Sequence, residues 1–205
     1  MKHFTLVLIL VISGCATTDI TLNMDAMKSV KTVAIVPFTS RVNLKKEILG
    51  EAEDSFKNAF LKMNYKVIES NKLNEVMKGN NISSFTVEDI KRIGKATGAG
   101  AVLFGEITDY EEVTREVMFY PGSITQNMFS NKGHDELKYI TTYTFRIIIR
   151  LVNVADGSEI LTMKNRTKEI QEEENLQCCN SLEAYRRYTL DKMTGELVDS
   201  MKEKK

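Results

Sequence analysis

The sequence predicts an α/β (α+β) domain in which helices pack on a mixed β-sheet and an extended β-hairpin carries a long loop. Three patterns lead to this prediction. Residues 30–38 form a β-branched run that is apolar on both faces, which is typical of a central strand covered on both sides. Apolar residues recur at helical spacing over residues 48–63. Residues 139–154 alternate in polarity, and Asp156-Gly157, the strongest hairpin-turn signal in the chain, follows them.

The other elements follow from caps and periodicity. Asn43 is the expected N-cap of the first long helix. Thr86 and Asp89 match a capping box, and Gly98 is expected to end that helix. The predicted order is therefore β-α-β-α-α-β-β-β-α. Strands are expected at residues 30–38, 65–69, 101–107 with a continuation to 119, 139–154 and 158–170, the long loop at 120–138, and helices at 43–63, 71–78, 86–98 and 182–201.

Composition narrows the range of functions. The chain has 205 residues, which is enough for one domain, and its 28 basic and 28 acidic residues balance. A nucleic-acid-binding protein normally shows a basic excess, so nucleic acid is not an expected partner. With two His and three Cys there is little material for a metal site or a histidine-based catalytic site.

The first fifteen residues match a bacterial lipoprotein signal. A short basic start precedes the apolar run 4–12, which is shorter than the about 20 residues of a membrane-spanning helix but fits a secretory signal. Ile12-Ser13-Gly14-Cys15 resembles the lipobox, whose cysteine becomes the acylated mature N-terminus. We expect a signal peptide over residues 1–14 and covalent lipid, palmitate included, on Cys15. The alternative is an ordinary signal peptide with an unrelated cysteine.

The residues after Cys15 predict where the domain is held. Ala16 stands where, by analogy with the lipoprotein sorting rule, Asp would favour retention in the inner membrane, so the periplasmic face of the outer membrane is expected. Residues 15–29 show no clear period and are predicted to be a lipidated tether that reaches at most about 50 Å. Residues 30–205 would then form a single domain.

Four phrases in order resemble one family. They are Val33-Ala34-Ile35-Val36-Pro37-Phe38, residues 65–69 (YKVIE), the glycine-rich stretch 93–106, and residues 151–157 (LVNVADG). Following a lipobox, they resemble the curli-secretion-channel (CsgG-type) lipoproteins, which are related to penicillin-binding-protein-activator lipoproteins and the TolB N-terminal domain. The resemblance implies an anticodon-binding-domain-like fold over roughly residues 30–170.

The glycines of this stretch favour a structural role. A phosphate-binding loop leads from a strand through glycines into a helix, whereas Gly94, Gly98, Gly100 and Gly105 lie where a helix leads into a strand. We therefore expect a helix cap and closely packed backbone at these positions.

The resemblance also implies an alternative function, a subunit of an oligomeric curli-type β-barrel export channel, with a possible homo-oligomer. Only residues 39–42 separate the first strand from its helix, so no pore constriction can be carried over. The segments 111–116 and 164–169 put charge on both faces of the expected hairpins, and charge on a lipid-facing strand costs up to about 2–4 kcal/mol near the midplane. A pore is therefore disfavoured.

No catalytic constellation is expected. His134 is the only histidine after signal removal, and the adjacent Cys178 and Cys179 allow a vicinal disulfide, a bridge to another chain or two thiols. We expect a non-enzyme without metal or cofactor other than the lipid on Cys15.

The expected function is a non-catalytic interaction or assembly module of a cell-envelope or secretion machine, anchored by its lipid and bound to envelope protein partners. The long loop supplies the candidate contact surface, because loops that carry apolar side chains often bind partners. The alternative is a poorly ordered insertion. The candidate partner-binding residues are Phe119, Tyr120, Ile124, Met128 and Phe129.

Overall fold

The computed structural model describes residues 17–68, 70–79, 82, 85–119, 136–166 and 181–202. These residues contain seven strands and five helices. In chain order they are β1 Thr17–Leu22, α1 Met24–Lys28, β2 Thr32–Ile35, β3 Thr39–Ser40, α2 Lys46–Lys62, β4 Lys66–Ile68, α3 Ser70–Gly79, α4 Val87–Thr97, β5 Ala101–Phe119, β6 Glu136–Asn153, β7 Glu159–Arg166 and α5 Leu182–Lys202.

The strands form one mixed sheet in the order β1-β7-β6-β5-β2-β4, and β3 also pairs with β5. Strand β2 runs parallel to both of its neighbours, while β5, β6, β7 and β1 pair antiparallel in succession. The predicted fold class, a mixed sheet with helices packed on it, is confirmed. The first apolar run is indeed an interior strand, since Val33 and Ala34 are fully buried.

Helices cover the sheet unequally. The larger core joins α1, α2 and α5 to one face, and the smaller core joins α3 and α4 to the β2 end of the other face. The predicted alternation of β6 is confirmed, because every second side chain enters the larger core. These buried residues are Tyr143, Phe145, Ile147, Ile149 and Leu151.

Two of the three predicted helix ends are confirmed. Thr86 and Asp89 form a reciprocal capping box at the start of α4, and Gly98 ends that helix with φ +72°. The Asn43 cap is wrong, because α2 begins at Lys46 and its N-cap is Lys45, without a side-chain cap hydrogen bond. Half-buried Leu44, Ile48 and Leu49 pack against the larger core, so tertiary packing rather than a capping side chain sets this end.

The expected tether is wrong over residues 17–28. Strand β1 pairs with β7 over six residues, from Thr17 opposite Arg166 to Leu22 opposite Leu161. Helix α1 follows, capped by the Asn23 side chain, and buries Met27. Both elements are too short to show a period in the sequence, and pairing with β7 is what makes residues 17–22 a strand.

The predicted close packing of the glycines is confirmed at two positions. A Cβ atom on Gly105 would collide with the buried Phe38 ring, and one on Gly94 would collide with the Val154 side chain. At Gly50, inside α2, a Cβ atom would meet nothing within 4 Å.

We predict that Gly105→Ala lowers the free energy of unfolding by about 1–3 kcal/mol, because the added methyl overpacks a site closed by Phe38. Gly50→Ala is the matched control and should raise it by about 0.5–1 kcal/mol, since alanine restricts the unfolded chain and fits the helix. Denaturant titration of both variants measures the effect. Equal destabilisation by both would contradict the packing described here.

Candidate functional site

Strands β5 and β6 continue beyond the rest of the sheet. They pair from Ala101 opposite Asn153 to Phe119 opposite Glu136, with an irregularity at Thr108. Strands β2 and β3 accompany β5 only as far as Ile107. We call residues 109–119 and 136–146 the arm. Ten residue steps at about 3.4 Å each make it about 34 Å long.

Two ring contacts lie at the base of the arm, one between its two strands and one between the arm and the body. The Tyr110 and Phe145 rings meet edge to face with their centroids 6.1 Å apart. Next to them, Tyr143 stacks on Tyr185 of α5 with centroids 6.5 Å apart. The first residues of the arm are therefore packed against a helix of the body.

A buried arginine connects the same region to two helices. Arg186 of α5 is 5% exposed, donates a hydrogen bond to the Tyr110 hydroxyl at 2.9 Å and forms an ion pair with Glu51 of α2. Its guanidinium carbon also lies 5.8 Å from the centroid of the Tyr110 ring. We call Glu51, Tyr110, Phe145 and Arg186 the base junction. It joins the arm to α2 and α5 through directional contacts.

Asn165 of β7 supports strand β6 at the base of the arm. Its buried side chain accepts a hydrogen bond from the Ile147 N–H at 2.8 Å and donates one to the Phe145 carbonyl. The amide thus satisfies backbone groups of β6 next to the end of the β6–β7 ladder, which runs from Val152 to Ile148. Buried backbone groups need such partners, so Asn165 allows β6 to continue into the arm.

The arm carries charge on both faces. Glu111, Glu112, Arg115 and Glu116 are all exposed, and neighbouring residues of a strand point to opposite faces. Tyr139 is 58% exposed, and its hydroxyl donates a hydrogen bond to Glu116 at 3.1 Å. This surface can make ionic and aromatic contacts with a partner.

A cavity of about 100 Å³ lies between Phe85, Phe104 and Glu106, on the face of the sheet opposite the larger core. The Glu106 carboxylate accepts two hydrogen bonds of 2.9 Å from Arg41, and this contact holds the pKa of Glu106 below its ordinary value. A carboxylate paired in this way is a poor general acid or base. In the described parts of the chain, no group of three or more His, Cys, Asp and Glu side chains could hold a metal ion.

Most of the predicted site residues lie outside the described residues. This holds for Cys15, Tyr120, Ile124, Met128, Phe129, His134, Cys178 and Cys179. Phe119 is the last residue of β5, where its backbone pairs with Glu136. The predicted hairpin is therefore present up to the point where the candidate partner-binding loop begins. Within the described residues, no helix is long and apolar enough to cross a membrane.

The base junction was not predicted from the sequence, although one signal pointed to it. Arg186 stands in the apolar stripe of α5, one helical turn before Leu190, and that stripe continues through Met193 and Leu197. A charged residue in a buried stripe needs a partner of opposite charge. Which partner it finds cannot be inferred, because Glu51 and Tyr110 are far away in sequence.

Comparison with known proteins gives distant structural similarities. No family model matches the chain, and no curated protein matches it. A PelC dodecamer from Paraburkholderia phytofirmans is 12% identical, with 87% of this chain and 94% of that chain covered and a TM-score of 0.46. The lipoprotein GNA1162 from Neisseria meningitidis is 15% identical, with 84% and 98% covered and a TM-score of 0.48. The LpoB C-terminal domain from Salmonella enterica is 13% identical, with 68% and 84% covered and a TM-score of 0.42.

We predict that Arg186→Gln lowers the free energy of unfolding by about 2–3 kcal/mol, because it removes the buried partner of Glu51 and Tyr110. It should also speed amide hydrogen exchange in β5 near Tyr110. Arg187→Gln is the matched control: Arg187 pairs with the same Glu51 but is 62% exposed, so its loss should cost less than about 1 kcal/mol. A larger loss at Arg187 than at Arg186 would show that the base junction does not support the arm.

Proposed function

We propose that this protein is a lipoprotein anchored through Cys15 to the periplasmic face of the outer membrane. There it acts as a non-catalytic interaction or assembly module of a cell-envelope or secretion machine. The proposal rests on the lipobox at residues 12–15, together with strand β1, whose first residue Thr17 is only two positions after Cys15. The family resemblance of the sequence, to CsgG-type lipoproteins, adds support.

The position of Thr17 connects the anchor to the arm. Thr17 lies opposite Arg166, the last residue of β7. Because β7 runs in the same direction as β5, the last residues of both strands lie towards the end of the sheet from which the arm extends. Two residues span at most about 7 Å, so lipid on Cys15 would hold the base of the arm close to the membrane surface. Because the arm is charged on both faces, it would lie along the membrane surface and there reach partners in or beside that membrane.

The alternative, a subunit of an oligomeric export channel, is favoured by one observation, the projecting two-stranded arm. The charges of the arm oppose it. Glu112 and Glu116 point to one face and Glu111 and Arg115 to the other, so neither face presents an uninterrupted apolar surface to lipid. Charged and aromatic side chains suit contact with a protein, and we therefore prefer the interaction module.

We predict that Cys15→Ala abolishes incorporation of a palmitate analogue and releases the chain from the outer-membrane fraction of a density gradient. Each buried CH₂ contributes about 0.8 kcal/mol to anchoring, and the lipid is the only strong membrane attachment that we propose. A Cys178→Ala/Cys179→Ala variant is the matched control and should remain labelled and membrane-bound. Label that persists in the Cys15→Ala chain would refute the lipidation site.

We predict that a photo-crosslinking amino acid at Tyr139 captures an envelope protein in living cells, because this side chain is exposed on the arm. The same amino acid at Val87, which is 39% exposed on α4, is the control and should not capture that protein. Crosslinks from Tyr139 only to other copies of this chain, in a ladder of regular sizes, would instead support the channel subunit.

A further inference from the structure

A groove of about 910 Å³ lies at the end of the molecule opposite the arm. Its walls are α1, the C-terminal ends of α2 and α5, and the residues that lead into β2 and β4. These residues lie beside the start of β5, whereas the arm is the far end of the same strand. The sequence analysis predicted no function for this surface.

Methionines dominate the apolar lining. Four of the ten methionines of the chain meet here, Met24, Met27, Met63 and Met201. Met24 and Met27 belong to α1, Met63 directly follows α2, and Met201 belongs to α5. Met27 and Met201 are buried in the larger core, whereas Met24 and Met63 are half-buried and line the surface of the groove. Methionine is unbranched and polarizable, and for that reason it is frequent on surfaces that adapt to a bound helix.

In the part of the chain that the structure describes, the ionised side chains that line the groove are all lysines. Lys28 pairs with Asp25 at 2.8 Å, and Lys202 pairs with Asp199 at 3.7 Å. Lys31 and Lys62 are exposed and have no ion-pair partner among the described residues. The apolar lining is therefore bordered by two ammonium groups that are free to pair with a ligand.

The helix ends account for only part of this positive charge. Lys28, Lys62 and Lys202 each stand at the C-terminal end of a helix, where a cation offsets the partial negative charge of the helix dipole. Lys31 lies between α1 and β2 and offsets no helix dipole. Its charge is therefore available to an acidic group of a ligand.

We propose that the groove binds an acidic amphipathic helix of a partner protein. The apolar face of that helix would pack on the half-buried Met24 and Met63, which the two buried methionines support from the core. Its carboxylates would pair with Lys31 and Lys62. The lysine stems extend the apolar lining while their ammonium groups stay in water. Tyr65 also lines the groove, and its hydroxyl is a neutral donor because a tyrosine ordinarily titrates at about pH 10; burial raises this pKa further.

The choice of a protein over a lipid surface rests on the proposed anchoring. Thr17 is at the arm end of β1, and Leu22, which precedes α1, is at the other end. An anchor on Cys15 would therefore place the groove on the side of the domain facing away from that membrane. Binding of the helix itself does not require lipidation.

The test uses the full chain in lipid nanodiscs and a fluorescent peptide of about five helical turns, about 18 residues, with Leu on one face and Glu elsewhere. We expect saturable binding by anisotropy that weakens as salt is raised. The peptide should also protect Met24 and Met63 from oxidation by hydrogen peroxide, while Met163 and Met193, which are fully buried, serve as internal controls. A scrambled peptide of the same composition should bind at least tenfold more weakly.

Variants identify the site. Lys31→Glu should weaken binding about fivefold, and Met24→Gln should weaken it by a similar factor. Lys45→Glu is the charge control, because Lys45 is exposed at the opposite end of α2, about 25 Å along that helix. Equal affinity of the wild-type and Lys31→Glu chains would overturn the proposal.

Protection of Met24 and Met63 by vesicles of phosphatidylglycerol but not by the peptide would also overturn it, in favour of an anionic membrane. The palmitate experiment at Cys15 is independent of these measurements. A failure of the groove proposal can therefore be distinguished from a failure of the anchor proposal.

Discussion

The antiparallel ladder between β5 and β6 joins the packed body to the arm, because the same two strands form both. In the body, their inward side chains fill the larger core against α2 and α5. Beyond Ile107 and Ile147 the ladder continues without β2, β3 and β7. An isolated two-stranded ribbon is marginally stable in water, so the arm depends on the strands being held in register inside the body.

Polar side chains provide that hold where apolar packing ends. Arg186 and Asn165 are both nearly buried, and each contacts one strand of the ladder, Arg186 through Tyr110 and Asn165 through backbone groups of β6. Burying such groups is unfavourable unless their hydrogen bonds are made, so they stabilise only the register of β5 and β6 in which those bonds form. Apolar contacts at the base of the arm would allow the two strands to shift register more easily than these directional contacts do.

The sequence predicts what depends on neighbouring residues and misses what depends on distant pairing. The alternation of residues 139–154, the capping box of Thr86 and Asp89 and the turn at Gly157 are local patterns, and all appear in the structure. Strand β1 becomes a strand only beside β7, and Arg186 finds Glu51 only when α2 and α5 meet. The groove is missed for the same reason, since its methionines are spread from Met24 to Met201.

Strand β1 runs between the two proposed functional surfaces, the arm and the groove. Its first residue is at the base of the arm, and the residue after its last begins the turn into α1, which forms a wall of the groove. The first and last residues of β1 are about 17 Å apart, from five steps at about 3.4 Å. If the proposed anchor precedes Thr17, it holds the base of the arm at the membrane and the groove on the opposite side of the domain. Because β1 and β7 pair over six residues within one sheet, the two surfaces are fixed at opposite ends of the same pair of strands.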